Sequence, residues 1–167
     1  MGNKYQGWIT RFLTDRGEYT FSKELFCESV GDLAGLFVAH HDELGFVEGL
    51  KLDLDLDMYR ELEEVHELQL LVVRYRTKPV GYAIYMVGPD PRYKGRIDAQ
   101  QDVLYVAKEH RGAGIGFKFI EYCDDVLMEL GVEAIWCSSN NKLDIGKFYE
   151  RLGYKFVEKI YLRRIEP

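Results

Sequence analysis

Between Val103 and Leu130 the chain reads VLYVAKEHRGAGIGFKFIEYCDDVLMEL, and this stretch restricts the fold more than any other. The apolar run Val103–Ala107 predicts a strand, Lys108–His110 a charged turn, and the residues beyond Gly116 a helix. Phe119, Ile120, Cys123, Val126, Leu127 and Leu130 fall on one helical face, and Gly131 ends it. Glycines at the mouth of a helix leave first-turn N–H groups bare, where unpaired donors and a partial positive charge favour phosphate. The turn is therefore expected to hold a pyrophosphate.

Three phosphate-binding patterns compete for Arg111–Gly116. A P-loop needs G-x-x-x-x-G-K-[ST], and no such run exists in the chain. A dinucleotide fingerprint needs G-x-G-x-x-G, but counting from Gly112 and Gly114 puts Phe117 in the third glycine's place. The pattern R-x-x-G-x-G between a strand and a helix fits at Arg111, Gly114 and Gly116.

Composition narrows the partners. A length of 167 residues suits one domain with a sizeable core, and no apolar run approaches the roughly 20 residues of a membrane span. The start MGNKYQGWITRF lacks a signal peptide's apolar centre, and Gln6 stands where a myristoylation signal wants Ser or Thr. Cys27, Cys123 and Cys137 are scattered and odd in number, which reads as free thiols in a reducing cytoplasm, with no zinc spacing. A net charge of −6 argues against nucleic acid. Between Asp42 and Glu67 ten acids face only Lys51 and Arg60, which is either a lure for a cationic substrate or a solvated helical face.

Residues 1–20 show no period; Trp8, Ile9, Phe12 and Leu13 suggest a short docking helix or an arm for a partner. Residues 21–27 are a strand or the lead into a helix. Ser29 opens a helix carrying Val30, Leu33, Phe37, His40 and Leu44, which Gly45 stops. A loop from Phe46 to Leu56 follows, then a helix capped by Asp57 and running to about His66, with Leu62 and Val65 turned inward. Leu68–Tyr75 and Val80–Val87 make an antiparallel hairpin about Lys78-Pro79. Asp98–Ala107 is the next strand. Glu133–Ser138 is a short strand, Leu143–Leu152 a short helix, and Tyr154–Ile165 a final strand.

Leu104-Tyr105-Val106-Ala107-Lys108-Glu109-His110-Arg111-Gly112-Ala113-Gly114-Ile115-Gly116 resembles the central signature of the GNAT superfamily of acyl-CoA-dependent N-acetyltransferases. Asn141 and Phe148-Tyr149-Glu150-Arg151-Leu152-Gly153-Tyr154 resemble its closing motif, in the right order with a strand between. The resemblance covers Leu68 to Ile165. His41-x-Glu43-Leu44-Gly45, Tyr93-Lys94, Asp102–Val106 and the ending Tyr154–Ile165 resemble small phage- and prophage-encoded members. The resemblance implies an α+β (GNAT) fold: a mixed, mainly antiparallel sheet of six or seven strands, splayed centrally and flanked by about four helices. One domain, 1–167, would hold an N-terminal arm and lid helices (1–67) and an acyl-CoA-binding core (68–165).

The same resemblance implies site residues. The strand Val103–Ala107 splays from Glu133–Ser138, and main-chain groups of Leu104, Tyr105 and Val106 bind the pantetheine. The N–H groups of Gly112, Ala113, Gly114, Ile115 and Gly116 take the pyrophosphate. Arg111 adds a charge-assisted bond to phosphate or pairs with Glu109. Tyr149 is the general acid for the departing thiolate. Relatives place a base near Trp136-Cys137, where this chain has no acid. By the two-residue period Asp102 shares a strand face with Gln100, Leu104 and Val106, and it is the best carboxylate, ahead of Asp98, Glu43 and His41. Asn141 matches a pantetheine-side asparagine, although its spacing to Tyr149 leaves Asn140 or Lys142 in contention.

The function expected is acetyl transfer from acetyl-CoA, as cosubstrate and without a metal, directly to a primary amine. The acceptor would be cationic: a polyamine, an aminoglycoside-like amine, or a protein's lysine or N-terminus. No nucleic acid or membrane partner is expected, the compartment is the cytoplasm, and a homodimer is allowed. The alternative is a catalytically weak GNAT-fold module that binds acyl-CoA or a protein.

Overall fold

The computed structural model describes residues 9–45 and 49–165. Trp8 and Phe46, named above, lie outside them. Six strands form one sheet in chain order: β1 (Ile9–Thr14), β2 (Gly17–Glu24), β3 (Leu68–Tyr75), β4 (Lys78–Pro89), β5 (Ile97–Val106) and β6 (Ala134–Trp136). Neighbours are antiparallel except β5 and β6, which are parallel. Helices α1 (Phe26–Leu44) and α2 (Leu56–Glu64) precede β3; α3 (Ile115–Glu129) and α4 (Gly146–Arg151) flank β6 in sequence. The expected α+β fold is the one formed.

The sheet is covered on both faces. One core joins Leu71, Val73, Ala83 and Tyr85 to the α3 residues Ile115, Phe119, Cys123 and Leu127. The other joins Leu70, Val72, Tyr82 and Ile84 to Phe26, Leu33, Phe37 and Leu44 beneath α1. This explains why Leu70–Val73 is apolar without alternation: each successive side chain enters one core or the other.

Several elements differ from expectation. Residues 9–20 join 21–24 in the β1–β2 hairpin rather than forming a helix or arm, and β1 shows little strand period because it is a mostly exposed edge on which Phe12 alone packs against the core. Helix α1 starts at Phe26, not Ser29, and its first N–H groups bond across the chain: Phe26 and Cys27 donate to the Glu63 carboxylate on α2. An anion at a helix N-terminus is favourable. The cap of α2 is Asp55, which accepts from the Met58 N–H, rather than Asp57, which pairs with Arg60. Val65 points outward, 63% exposed. The β3–β4 turn falls at Arg76-Thr77, so Lys78 and Pro79 belong to β4. The strand and helix expected at Glu133–Ser138 and Leu143–Leu152 shorten to β6 and α4. Tyr154–Ile165 joins no strand ladder among the described residues, and Phe156, Val157, Ile160, Tyr161, Leu162 and Ile165 are exposed along it.

Candidate active site

Strand β6 pairs with β5 only where Asp98, Ala99 and Gln100 face Ala134, Ile135 and Trp136. Beyond Gln100, β5 continues to Val106 against β4 alone, so the sheet opens on the β6 side of Gln101–Val106. Leu104, Tyr105 and Val106 lie in that open half of the strand, with Tyr105 opposite Tyr82 and Val106 opposite Gly81 on β4.

The opening leads to the glycine turn. After a single 3₁₀ turn at Lys108–His110, Gly112, Ala113 and Gly114 all take positive φ, at 94°, 47° and 77°. Glycine tolerates that conformation at little cost, and Ala113 carries the penalty. Gly114 is the N-cap of α3 and supplies no side-chain cap; the Ile115 N–H donates to the Gly112 carbonyl at 3.1 Å, which leaves Gly116 and Phe117 as the first-turn donors without an intrahelical acceptor. A Cβ built on Gly114 or Gly116 would meet no atom within 4 Å. A bare, uncrowded helix mouth of this kind fits a pyrophosphate.

Arg111 is engaged elsewhere than at Glu109. Its Nη1 and Nη2 donate to the two oxygens of Glu43 at 2.7 and 2.9 Å, and its Nε donates to the Val106 carbonyl at 2.8 Å. The guanidinium also lies over the Tyr105 ring, 5.4 Å from its centroid. The Arg111 hydrogen bonds, ahead of burial's opposite effect, lower the Glu43 pKa. A carboxylate so held is a poor base.

A second arginine stands beside the turn. Arg16, at the tip of the β1–β2 hairpin, donates to the carbonyls of Arg111 (3.1 Å) and Glu109 (3.4 Å). Its Nη2 would sit 3.7 Å from a Cβ on Gly112. Tyr75 fixes this tip by donating to the Arg16 carbonyl, and the Tyr19 hydroxyl meets His110 Nδ1 at 3.0 Å. Nothing local in the sequence signals these contacts, which span 91 to 95 residues for Arg16 and Tyr19.

Tyr149, on α4, is buried, and its hydroxyl donates to Gln101 Oε1 at 2.6 Å. Gln101 Nε2 in turn reaches the Ser138 carbonyl at 3.4 Å. The phenol therefore stands where β5 and β6 part. Burial and the neighbouring Cys137 raise its pKa, so it holds its proton through the neutral range. Burial likewise pushes the Cys137 thiol up to about 12.

Asp102 occupies a bulge. The β4–β5 register passes from Ile84 opposite Val103 to Tyr85 opposite Gln101, leaving Asp102 as the extra residue. The bulge breaks the two-residue period, so the expected shared face of Gln100, Asp102, Leu104 and Val106 does not form. Leu104 and Val106 pack into the α3-side core, whereas Asp102 acts electrostatically on Tyr59 and Tyr82 on the α1–α2 side. Asp102 keeps an exposed surface, yet desolvation by the protein packed around it raises its pKa.

The remaining candidates are occupied or peripheral. Asp98 accepts from Arg96 and from Trp136 Nε1, and His41 Nε2 meets the Leu50 carbonyl. Asn141 is exposed, while Asn140 Nδ2 and Lys142 Nζ bond the carbonyls of Leu44 and Gly45 at the end of α1. Of the acidic run, Asp55 and Glu63 cap helices and Glu43 holds Arg111. Among the described residues no cluster of three or more His, Cys, Asp or Glu could hold a metal, and no helix is long and apolar enough to cross a membrane.

The family model described as an acetyltransferase (GNAT) domain matches residues 66–156. That span includes β3 to α4 and stops short of most of the C-terminal segment. No curated protein matches the chain. Many solved structures share its fold, among them three acetyltransferases. The ribosomal-protein-alanine N-acetyltransferase of Brucella melitensis biovar Abortus 2308 is 21% identical, with a TM-score of 0.71 over 89% of this chain and 99% of that one. The glucosamine-6-phosphate N-acetyltransferase of Arabidopsis thaliana is 16% identical, with a TM-score of 0.68 over 89% and 99%. The aminoglycoside acetyltransferase meta-AAC0020, from an uncultured soil metagenomic sample, is 16% identical, with a TM-score of 0.67 over 89% and 95%.

Proposed function

Because the chain belongs to the acetyltransferase (GNAT) family, we propose that it moves an acetyl group from acetyl-CoA directly to a primary amine. The observation that carries this reading is the Tyr149 hydroxyl, held by Gln101 at the point where β5 leaves β6. Leu104, Tyr105 and Val106 would hold the pantetheine along the opened strand. Residues Gly112 to Gly116 would hold the pyrophosphate, with Arg16 and Arg111 bracing the turn from either side. Acetyl-CoA, when bound, supplies an activated acyl thioester.

The chain's own groups divide the proton work. Asp102 takes a proton from the ammonium, directly or through one water, on the α1–α2 side of the sheet. The neutral nitrogen then forms its C–N bond as the C–S bond breaks. Tyr149 gives its phenolic proton to the departing sulfur, and the second proton shed by nitrogen restores the phenol through solvent. Desolvation acts usefully on both groups, since it makes Asp102 a stronger base and keeps Tyr149 protonated. The test is release of CoA from acetyl-CoA in the presence of an amine panel, by the unaltered chain and by Tyr149→Phe. Turnover that collapses in the variant supports the reading; equal turnover contradicts it.

A second reading, a module that binds acyl-CoA with little turnover, is favoured by one observation: no acid stands at Trp136-Cys137, and the Cys137 thiol stays protonated. Binding of acetyl-CoA without CoA release for any amine would select it. We also infer a homodimer formed through Tyr154–Ile165. Taken as a strand, this segment puts Phe156, Ile160 and Leu162 on one face, and it carries a net charge of +3 in a chain of −6. A second copy offers both an opposite charge and the short outer edge of β6, which pairs with no strand among the described residues. Kinship with phage- and prophage-encoded members and a cytoplasmic location complete the proposal.

A further inference from the structure

A cavity of about 360 Å³ lies between α1, α2 and the β4–β5 face of the sheet. Its wall is mainly apolar: Phe26, Phe37, Leu44, Tyr59, Ile84 and Val103. Phe26 stacks on Tyr59 with centroids 4.5 Å apart, which ties α1 to α2 in the cavity wall. The two histidines and Tyr82 in the wall are already paired. His40 Nδ1 meets the Tyr82 hydroxyl at 2.6 Å, and burial lowers the His40 pKa to about 4, leaving the imidazole neutral at pH 7. His41 Nε2 is taken by the Leu50 carbonyl. Lys51 and Asp53 stand at the exposed rim.

Asp102 stands beside this cavity, close enough to Tyr59 and Tyr82 to influence both. The arrangement offers one carboxylate at the reacting end and an apolar chamber behind it. A polyamine or an aminoglycoside would have to strip water from further ammonium groups against that apolar wall, with Asp53, at the exposed rim, as the carboxylate among the described lining residues. A single amine on an aromatic or aliphatic body meets no such cost, because its body buries apolar surface and its one nitrogen faces Asp102. The volume sits at the lower end for small-molecule sites. Of the acidic run that suggests a polycation, Asp55 and Glu63 cap helices, Asp57 and Glu43 pair with arginines, and Asp53 is the member in the cavity rim.

We propose that the acceptor is a small arylalkyl or alkyl primary amine whose apolar body fills the cavity between α1, α2 and β4–β5. This rests on the transferase reading above and names its substrate class. The test has two arms. CoA release is measured with 2-phenylethylamine, ethylamine, spermidine and kanamycin. In parallel, 2-phenylethylamine is titrated calorimetrically into the full chain saturated with CoA. The expected result is a kcat/KM for 2-phenylethylamine at least tenfold above each of the other three. Leu54→Asp, which places a charge among the apolar side chains packed at this face, should raise its KM at least tenfold and leave acetyl-CoA affinity within twofold. Preference for spermidine or kanamycin, or no gain over ethylamine, overturns the proposal. If no amine is turned over, the titration decides: binding that Leu54→Asp abolishes keeps the cavity's ligand class and sinks the transferase reading. Absence of 2-phenylethylamine binding overturns the cavity's assignment.

Discussion

The Tyr149 hydroxyl donates to Gln101 Oε1 at 2.6 Å, and Gln101 is the first residue of β5 past its last pair with β6. One hydrogen bond thus ties a side chain of α4 to the point where the sheet opens. Tyr149→Phe should lower kcat by at least about 10²-fold if the phenol is a general acid. It should also cost about 1–3 kcal/mol of stability, because Gln101 Oε1 is left buried without a donor. The double variant Tyr149→Phe/Gln101→Leu should recover part of that stability and none of the rate. Denaturant melts beside initial rates separate the two effects, and recovery of rate in the double variant would count against the assignment.

The pH profile should divide in the same way. Desolvation raises the Asp102 pKa, so the base is lost as pH falls through a value above the ordinary carboxylate one of about 3.9. The rate should therefore fall on acidification. In Asp102→Asn the substrate amine still titrates as before, so the ratio of the two kcat/KM profiles isolates Asp102. A ratio that does not change with pH contradicts its role as base. The raised pKa of Tyr149 predicts no alkaline loss below about pH 10, the ordinary tyrosine value.

Glu43 and Arg111 join the end of α1 to the residue before the glycine turn. Both side chains are less than a third exposed, so their coupling should exceed that of a surface pair. A cycle of Glu43→Gln and Arg111→Gln should give about 1–3 kcal/mol of interaction. The folded pKa of Glu43 is lowered, so the pair contributes fully above the unfolded value of about 4.3 and is lost as pH falls through the lower folded value. Additive single effects at neutral pH would show that the pair is not a strut.

The C-terminal segment gives a prediction about assembly. Light scattering on a sizing column should show a dimer for the full chain, and a monomer after Ile160→Asp/Leu162→Asp. Both side chains are exposed and meet no core, so the folded monomer should keep its thermal midpoint. A full chain that runs as a monomer contradicts the strand-exchange idea.

What the sequence displays follows physical lines. The strands β3, β4 and β5, the glycine turn and the apolar face of α3 are written in local period and turn chemistry and form close to where expected, with the β3–β4 turn two residues earlier. The position of Tyr149, beside the opening between β5 and β6, is legible through its motif. The β1–β2 hairpin is not, because β1 is a mostly exposed edge strand on which Phe12 alone packs against the core, so it has little alternation to read. The bulge at Asp102 was hidden because one extra residue reverses the facing of everything beyond it without a local mark. Arg16 beside the turn and Glu43 against Arg111 are contacts of tertiary folding, so no spacing rule finds them. Tyr154–Ile165 carries a strand's pattern, yet a pattern cannot say whether the partner strand lies in the same chain.

The central claim is that the turn at Gly112–Gly116 holds the pyrophosphate of acetyl-CoA. Gly116 tests it cleanly: its φ lies outside the left-handed region, and a Cβ there meets nothing within 4 Å, so a side chain should not disturb the fold. The measurement is calorimetric titration of acetyl-CoA into the unaltered chain and into Gly116→Glu. We predict saturable binding by the former and at least a tenfold loss of affinity in the latter, with an unchanged thermal midpoint. Equal affinity in the two proteins, or no binding of acetyl-CoA by the unaltered chain, would contradict the account.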